Sequence, residues 1–206
     1  MAHRIAVIGA GNVGRALAFG LAGAGHDIVV GVRRPDDAKH AALAEAETVA
    51  LSPTGTASAE ADVIILAVPA PSLAELVSTL GLRSGQIVVD ATNAVRTPVP
   101  GGATTVADHV VALVPEGVAV VKAFNTIGAE HLGDGRFEEG EAFLPIAGDD
   151  EGRAVVGALA AELGFGVADL GGRDAFELVE AHARLWIHLA FARGWGRGFG
   201  FRVVGR

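Results

Sequence analysis

Three glycines, Gly9, Gly11 and Gly14, stand at a spacing that lets a chain cradle a pyrophosphate, and two guanidiniums, Arg33 and Arg34, follow one strand later. The run Arg4-Ile-Ala-Val-Ile reads as a buried strand, and a helical pattern begins at Asn12. In such a strand–turn–helix Gly9 permits the tight turn. Gly11 presents no side chain to a phosphate, and Gly14 lets the helix pack close to the strand. Ala10, Asn12 and Val13 complete the turn, and the backbone N–H groups at the helix start lack intrahelical partners, so they suit an anion. The second strand, Asp27–Gly31, ends without the carboxylate that would hold the ribose hydroxyls of NAD. Arg33 and Arg34 stand near that place and suit a 2′-phosphate, so the expected dinucleotide is NADP(H). Asp36 and Asp37 come after Pro35 and read as the opening of the next helix.

Further along, other apolar strands end in polar or ring-flanking residues. Val68 and Pro69 close one strand, where the missing N–H of proline ends the ladder. Asp90-Ala-Thr-Asn93-Ala and Lys122-Ala-Phe-Asn125-Thr126-Ile127-Gly close two more. In an open α/β sheet these carboxyl ends share one rim, where ligands bind. Their amides and hydroxyls can orient a flat ring without protonating it, or can simply close turns. A lysine at a buried strand end needs a partner, and Asp90 is the expected one for Lys122.

The elements that must carry these groups are legible as alternation. Strand-like runs fall near 4–8, 27–31, 48–51, 62–67, 86–90, 118–122, 143–147 and 165–169. Helical patterns fall near 12–24, 35–46, 71–79, 104–114, 150–163 and 174–193. Asp149-Asp150 reads as a helix start and Gly164 as a helix stop. The expected class is α/β: a Rossmann-type, doubly wound, mostly parallel sheet with a C-terminal helix and a short Gly/Arg-rich tail. Residues 1–206 read as one NADP-binding domain that includes the helix and tail over 174–206. Arg96–Ala103 and the acidic stretch Gly133–Glu141 read as loops, the second mobile.

Composition narrows the function classes. The chain has 206 residues, half of them hydrophobic, and a formal net charge of −8, which argues against a general nucleic-acid binder. Cysteine is absent, so disulfides and thiolate metal sites are excluded, and no metal site is expected. The longest apolar run, Val63–Ala70, is far below the ~20 residues of a membrane helix. The first strand and its turn begin too early for a signal peptide, and a cytoplasmic protein is the expectation. Little chain follows the last helix, so a second ligand is expected on the nucleotide-binding fold itself or in the groove of a homodimer.

The segment Val121-Lys-Ala-Phe-Asn125-Thr126 resembles a motif of the NADPH-dependent coenzyme F420 reductases, and of the cytosolic domain of six-transmembrane ferric reductases. Val29–Arg34, Val88–Asn93, Ile146–Asp150 and the ending Gly194–Phe201 are similar as well. Val32 departs from the Ser or Thr usual in that family, and the short Gly-Ala-Gly turn, Asp90 and Asn93 are closer to the ferric-reductase branch. The resemblance implies hydride transfer between NADPH and an isoalloxazine-like ring, with coenzyme F420 or FMN/FAD as second cofactor or substrate. It places Val68 and Pro69 beside the nicotinamide, and Asn93, Asn125, Thr126 and Ile127 around the second ring. No catalytic side chain is assigned, because ring-to-ring hydride transfer needs orientation more than acid–base help.

Two other readings stay open: a non-catalytic NADP(H)-responsive binding protein, and an NADPH-dependent reductase of a small carbonyl, imine or ferric substrate. His26 reads as a turn residue, His182 and His188 as core or interface, and His131 as the histidine best placed to touch a substrate. After Glu180 the charges are all positive, at Arg184, Arg193, Arg197, Arg202 and Arg206. That tail is either solvated or reaches an anionic group or a partner subunit, with Trp186 and Trp195 as buried anchors.

Overall fold

Strand and helix alternate along the chain, and the computed structural model describes residues 2–95 and 97–205. Strand β1 (Arg4–Ile8) leads into helix α1 (Asn12–Gly23), β2 (Asp27–Val32), the short α2 (Ala41–Ala44), β3 (Ala50–Pro53) and α3 (Thr54–Ala59). Then follow β4 (Val63–Leu66), α4 (Leu73–Thr79), β5 (Ile87–Asp90), α5 (Val106–Leu113) and β6 (Ala119–Lys122). A small hairpin, β7 (Arg136–Phe137) with β8 (Gly140–Glu141), precedes β9 (Phe143–Gly148), α6 (Asp150–Glu162), β10 (Gly166–Asp169) and α7 (Phe176–Ile187).

Eight strands form one sheet in the order β10-β9-β6-β5-β4-β1-β2-β3. The first six in sequence run parallel, as a doubly wound sheet with its topological switch between β1 and β4. Strand β9 reverses, pairing antiparallel to β6 with Val121 opposite Gly148, and β10 runs parallel to β9. Each central strand is buried on both faces, which explains its continuous apolar sequence. Ile5 and Val7 join one core with α1 and α6, through Leu17, Leu21, Val156 and Leu159. Ala6 and Ile8 join the other with α4, α5 and α7, through Leu73, Leu76, Val110, Phe176 and Val179.

Several sequence expectations are revised. The 35–46 helix is a 3₁₀ turn at Ala38–His40 followed by α2, opened by the Asp37 side chain accepting from Lys39 N–H. Helix α3 has no sequence signature, since Thr-Gly-Thr-Ala-Ser-Ala lacks an apolar stripe. The Gly133–Glu141 stretch is the β7–β8 hairpin, with Phe137 packed on the core and against His131 at 4.7 Å. The 174–193 helix becomes α7 and then a π-helical turn, His188–Ala192. Trp186 is buried as expected, whereas Trp195 is 63% exposed and is no buried anchor. His188 is exposed, so of its two expected settings, core or interface, the core is excluded. Of the Arg96–Ala103 loop and the basic tail, Arg96 and Arg206 lie outside the described residues.

Candidate dinucleotide groove at the carboxyl edge of the sheet

The glycine turn follows β1 at the switch point, and its three glycines answer to different constraints. Gly9 has φ +115°, and a Cβ there would lie 2.4 Å from Ala67 O. A Cβ on Gly14 would lie 1.8 Å from Gly9 O, so helix α1 could not start so close to the strand. Gly11 is different: nothing lies within 4 Å of its would-be Cβ, and the residue is exposed. Protein packing therefore does not require a glycine at Gly11, whereas a phosphate approaching the backbone would. Gly11 is also the N-cap of α1, with no side chain covering the helix start.

On the β2 side of this turn lies a cavity of about 510 Å³. Gly9, Ala10, Gly11, Arg33, Arg34 and Val68 line it, joined by Arg15, Lys39 and His40. Four cationic side chains thus meet in one cavity of a chain with net charge −8, and no carboxylate lines it. Arg33 lies 3.7 Å from Glu75, both largely exposed, which leaves its guanidinium available. Arg15 donates from Nε to Ala10 O at 3.0 Å and from Nη2 to Lys39 O at 3.2 Å, joining the glycine turn to the 38–40 turn. Lys39 sits 3.0 Å from Asp37, and its hydrogen bonds hold that carboxyl below its ordinary value. Sequence reasoning missed Arg15 and Lys39, because neither lies in the glycine motif or at the end of β2.

On the β4 side the groove continues into a second cavity, of about 330 Å³, lined by Gly11, Asn12, Val13, Val68, Pro69, Thr92, Asn93, Ala129 and Arg197. Gly11 and Val68 border both cavities. Asn93 is held by Asn125: its Nδ2 donates to Asn125 O at 2.7 Å, and its Oδ1 accepts from Asn125 Nδ2 at 3.1 Å. Asn125, Thr126 and Ile127 do not line either cavity. Asn125 and Thr126 are buried, Asn125 against Asn93, while Ile127 belongs to the core. The preceding residue, Phe124, has φ +60°, a strained conformation for an aromatic residue, and it turns the chain at the end of β6. Asn125 Oδ1 and Thr126 Oγ1 are buried with no hydrogen-bond partner. His131 packs against Phe137 and lies outside the groove lining.

Beneath this half of the groove sits a buried ionic cluster. Lys122 and Asp90 are register partners at the ends of β6 and β5, both fully buried, with Nζ 2.8 Å from Asp90 Oδ2. Lys122 also donates to Thr92 O at 2.6 Å and lies 3.2 Å from Glu180 Oε1. Asp90 Oδ1 accepts from Thr92 N–H and hydroxyl, and Glu180 accepts from Val106 N–H at the start of α5. The expected Lys122–Asp90 pair is therefore present, with Glu180 of α7 as an additional member. The cluster fixes the 90–93 turn from below and leaves Asn93 to face the groove.

The groove's residues fit a dinucleotide: an open glycine at the helix start, a cationic end and a neutral amide end. With the switch-point sheet, this defines a Rossmann-type dinucleotide-binding scaffold. Residues 4–94, somewhat under half of the chain, match the family described as NADP oxidoreductase, coenzyme F420-dependent. The rat (Rattus norvegicus) metalloreductase STEAP3 is 30% identical over 181 residues, 87% of this chain and 36% of that protein. The pyrroline-5-carboxylate reductase of Mycobacterium leprae is 30% identical over 152 residues, 69% of this chain and 50% of that enzyme. The chain thus spans half or less of the length of these curated relatives. Among solved structures, a protein from Arthrobacter sp. FB24 described as an F420-dependent NADP-reductase superposes with a TM-score of 0.85 at 28% identity, covering 99% of this chain and 100% of that one. A Sinorhizobium meliloti protein of undescribed function is 35% identical with a TM-score of 0.73, covering 84% and 86%. Among the described residues, no helix is long and apolar enough to cross a membrane.

Proposed function

We propose that this chain is an NADPH-dependent reductase that delivers hydride to an isoalloxazine-like ring, a deazaflavin such as coenzyme F420 or a flavin. One observation carries the reading: two adjoining cavities that share Gly11 and Val68, one with four cations and the other with an uncharged Asn93–Thr92 wall and a single guanidinium. Gly9–Gly14 would hold the pyrophosphate, and Arg33 and Arg34, aided by Arg15 and Lys39, the 2′-phosphate. Val68 and Pro69 would flank the nicotinamide, and Asn93, positioned by Asn125, Thr126 and the loop through Ile127, would shape the second-ring site. NADPH supplies the hydride. The protein's part is to hold donor and acceptor at about 3–3.5 Å and to keep water out.

The test offers NADPH with F420, FMN, FAD and a ferric chelate in parallel. Multiple turnover with one of the rings is expected, and that outcome removes a non-catalytic NADP(H)-responsive role. Turnover with none of the rings defeats the proposal. A cyclic imine, pyrroline-5-carboxylate, is the further arm, favoured by the Mycobacterium leprae relative. The fold likeness to an Aspergillus terreus imine reductase, at 20% identity, speaks only to architecture. We further propose that the protein acts in the cytoplasm as a homodimer.

A further inference from the structure

Five arginines follow Glu180, and the fold sends the described ones to different places. Arg184 lines a separate cleft with His188 and Phe191, and Arg202 lies against Gly140 beside the β7–β8 hairpin. Arg197 lines the second cavity, across from the glycine turn. Its position is set by contacts on both sides. The π turn closes with Arg193 N–H donating to His188 O at 3.0 Å, and Trp195 N–H then donates to Leu189 O at 3.1 Å. Beyond Arg197, Trp186 Nε1 donates to Phe199 O at 2.9 Å, and the two rings stack 5.3 Å apart. Phe143 N–H donates to Phe201 O at 2.8 Å, tying the tail to β9. Arg197 O lies 3.0 Å from where a Gly128 Cβ would be, so the tail passes close against this glycine.

The guanidinium itself is held by Glu130 at 2.7 Å, and both side chains are about two-fifths exposed (41% and 43%). This cavity therefore has a neutral wall of Thr92 and Asn93 and one partly exposed cation in its lining. A planar ring belongs against the neutral wall, and an anionic substituent of that ring would reach the guanidinium. We propose that Arg197 recognises the phosphate or carboxylate of the second substrate, and that Glu130 is the intramolecular anion it exchanges for that group. The inference rests on the ring-acceptor reading above and extends it to a specificity-determining residue. A guanidinium is suited to the task, because it meets an oxyanion with paired donors.

The test titrates FMN and riboflavin, the same ring with and without a phosphate, into protein saturated with NADP+, and reads flavin fluorescence. Wild-type protein is expected to bind FMN more tightly than riboflavin. Arg197→Gln should weaken FMN about tenfold, as for a partly exposed charge-assisted contact, and leave riboflavin within about twofold. Arg197→Lys should retain part of the preference. Glu130→Gln should tighten FMN, since it removes the competing carboxylate, whereas Arg202→Gln should change neither ligand. A latch with a purely structural role predicts something else: both Arg197→Gln and Glu130→Gln weaken FMN, and riboflavin suffers equally. That result overturns the inference, as does a parallel loss of NADP+ affinity or of thermal stability in both Arg197 variants. Wild-type protein that binds neither flavin, nor F420 in a third titration, overturns the ring-acceptor reading and this inference with it.

Discussion

Replacing Lys122 by Met should be severely destabilising although it nearly preserves side-chain volume. The lysine is fully buried and neutralises Asp90 at 2.8 Å and Glu180 at 3.2 Å. Without it two carboxylates remain, both buried, with facing oxygens no more than about 6 Å apart; at an effective dielectric of ~20 their repulsion is roughly 3 kcal/mol. Removing one partner of a buried ion pair costs about 3–5 kcal/mol in general, because the remaining charge is left uncompensated. Two stranded carboxylates put Lys122→Met towards the upper part of that range. For a chain of this size the melting temperature should fall by on the order of 10 °C. The assay is urea unfolding at pH 7, with Lys122→Met compared with Lys122→Met/Glu180→Gln. The second change removes one of the two stranded charges and should restore roughly half the loss. If Lys122→Met costs less than about 1 kcal/mol, or the double variant is no more stable than the single, the cluster does not work as described.

Arg33→Asp with Arg34→Ala should weaken NADPH by about tenfold or more while changing NADH little, measured by nicotinamide fluorescence; equal losses would remove the 2′-phosphate assignment. Gly11→Ala should keep the wild-type melting temperature yet impair NADP(H) binding, because only a ligand competes for that space. Gly14→Ala should instead destabilise the fold, since its Cβ would lie 1.8 Å from Gly9 O. Burial lowers the pKa of His182, which packs between Phe143 and Phe201. The unfolded chain then takes up a proton that the folded chain resists, so stability should decline as pH drops below about 6.5. His182→Phe should flatten that slope in denaturation curves between pH 7 and 5, and an unchanged slope would assign the acid sensitivity to another group.

Legibility in this sequence tracks the range of the forces involved. The central strands stand out because each is apolar on both faces, and the turn stands out because its three glycines are local necessities. Helix α3 and the β7–β8 hairpin were hidden, since neither has enough length for a period and both are held by neighbours. The Lys122–Asp90 pair was readable because both residues end adjacent strands, and the parallel register puts them side by side. Glu180 was not readable as its third member, because it arrives 58 residues after Lys122 on a different element. The exposure of Trp195 was not readable, because it lies past the π turn at His188–Ala192, where the helical pattern no longer sets which side faces outward.

Sequence alone determined the alternation of strands and helices, the glycine turn and the pair of arginines after β2, because each depends on neighbours within a turn or a strand. Tertiary structure decided that Arg15 and Lys39 complete the cationic end of the groove. It also decided that Arg197, and not Arg184 or Arg202, reaches the other end. The first placement depends on how α1 and the 38–40 turn meet at the glycine turn, and the second on how α7, its π turn and the aromatic tail pack against β9 and the loop after β6. Such packing brings together side chains far apart in sequence, and no local pattern of residue types encodes that convergence.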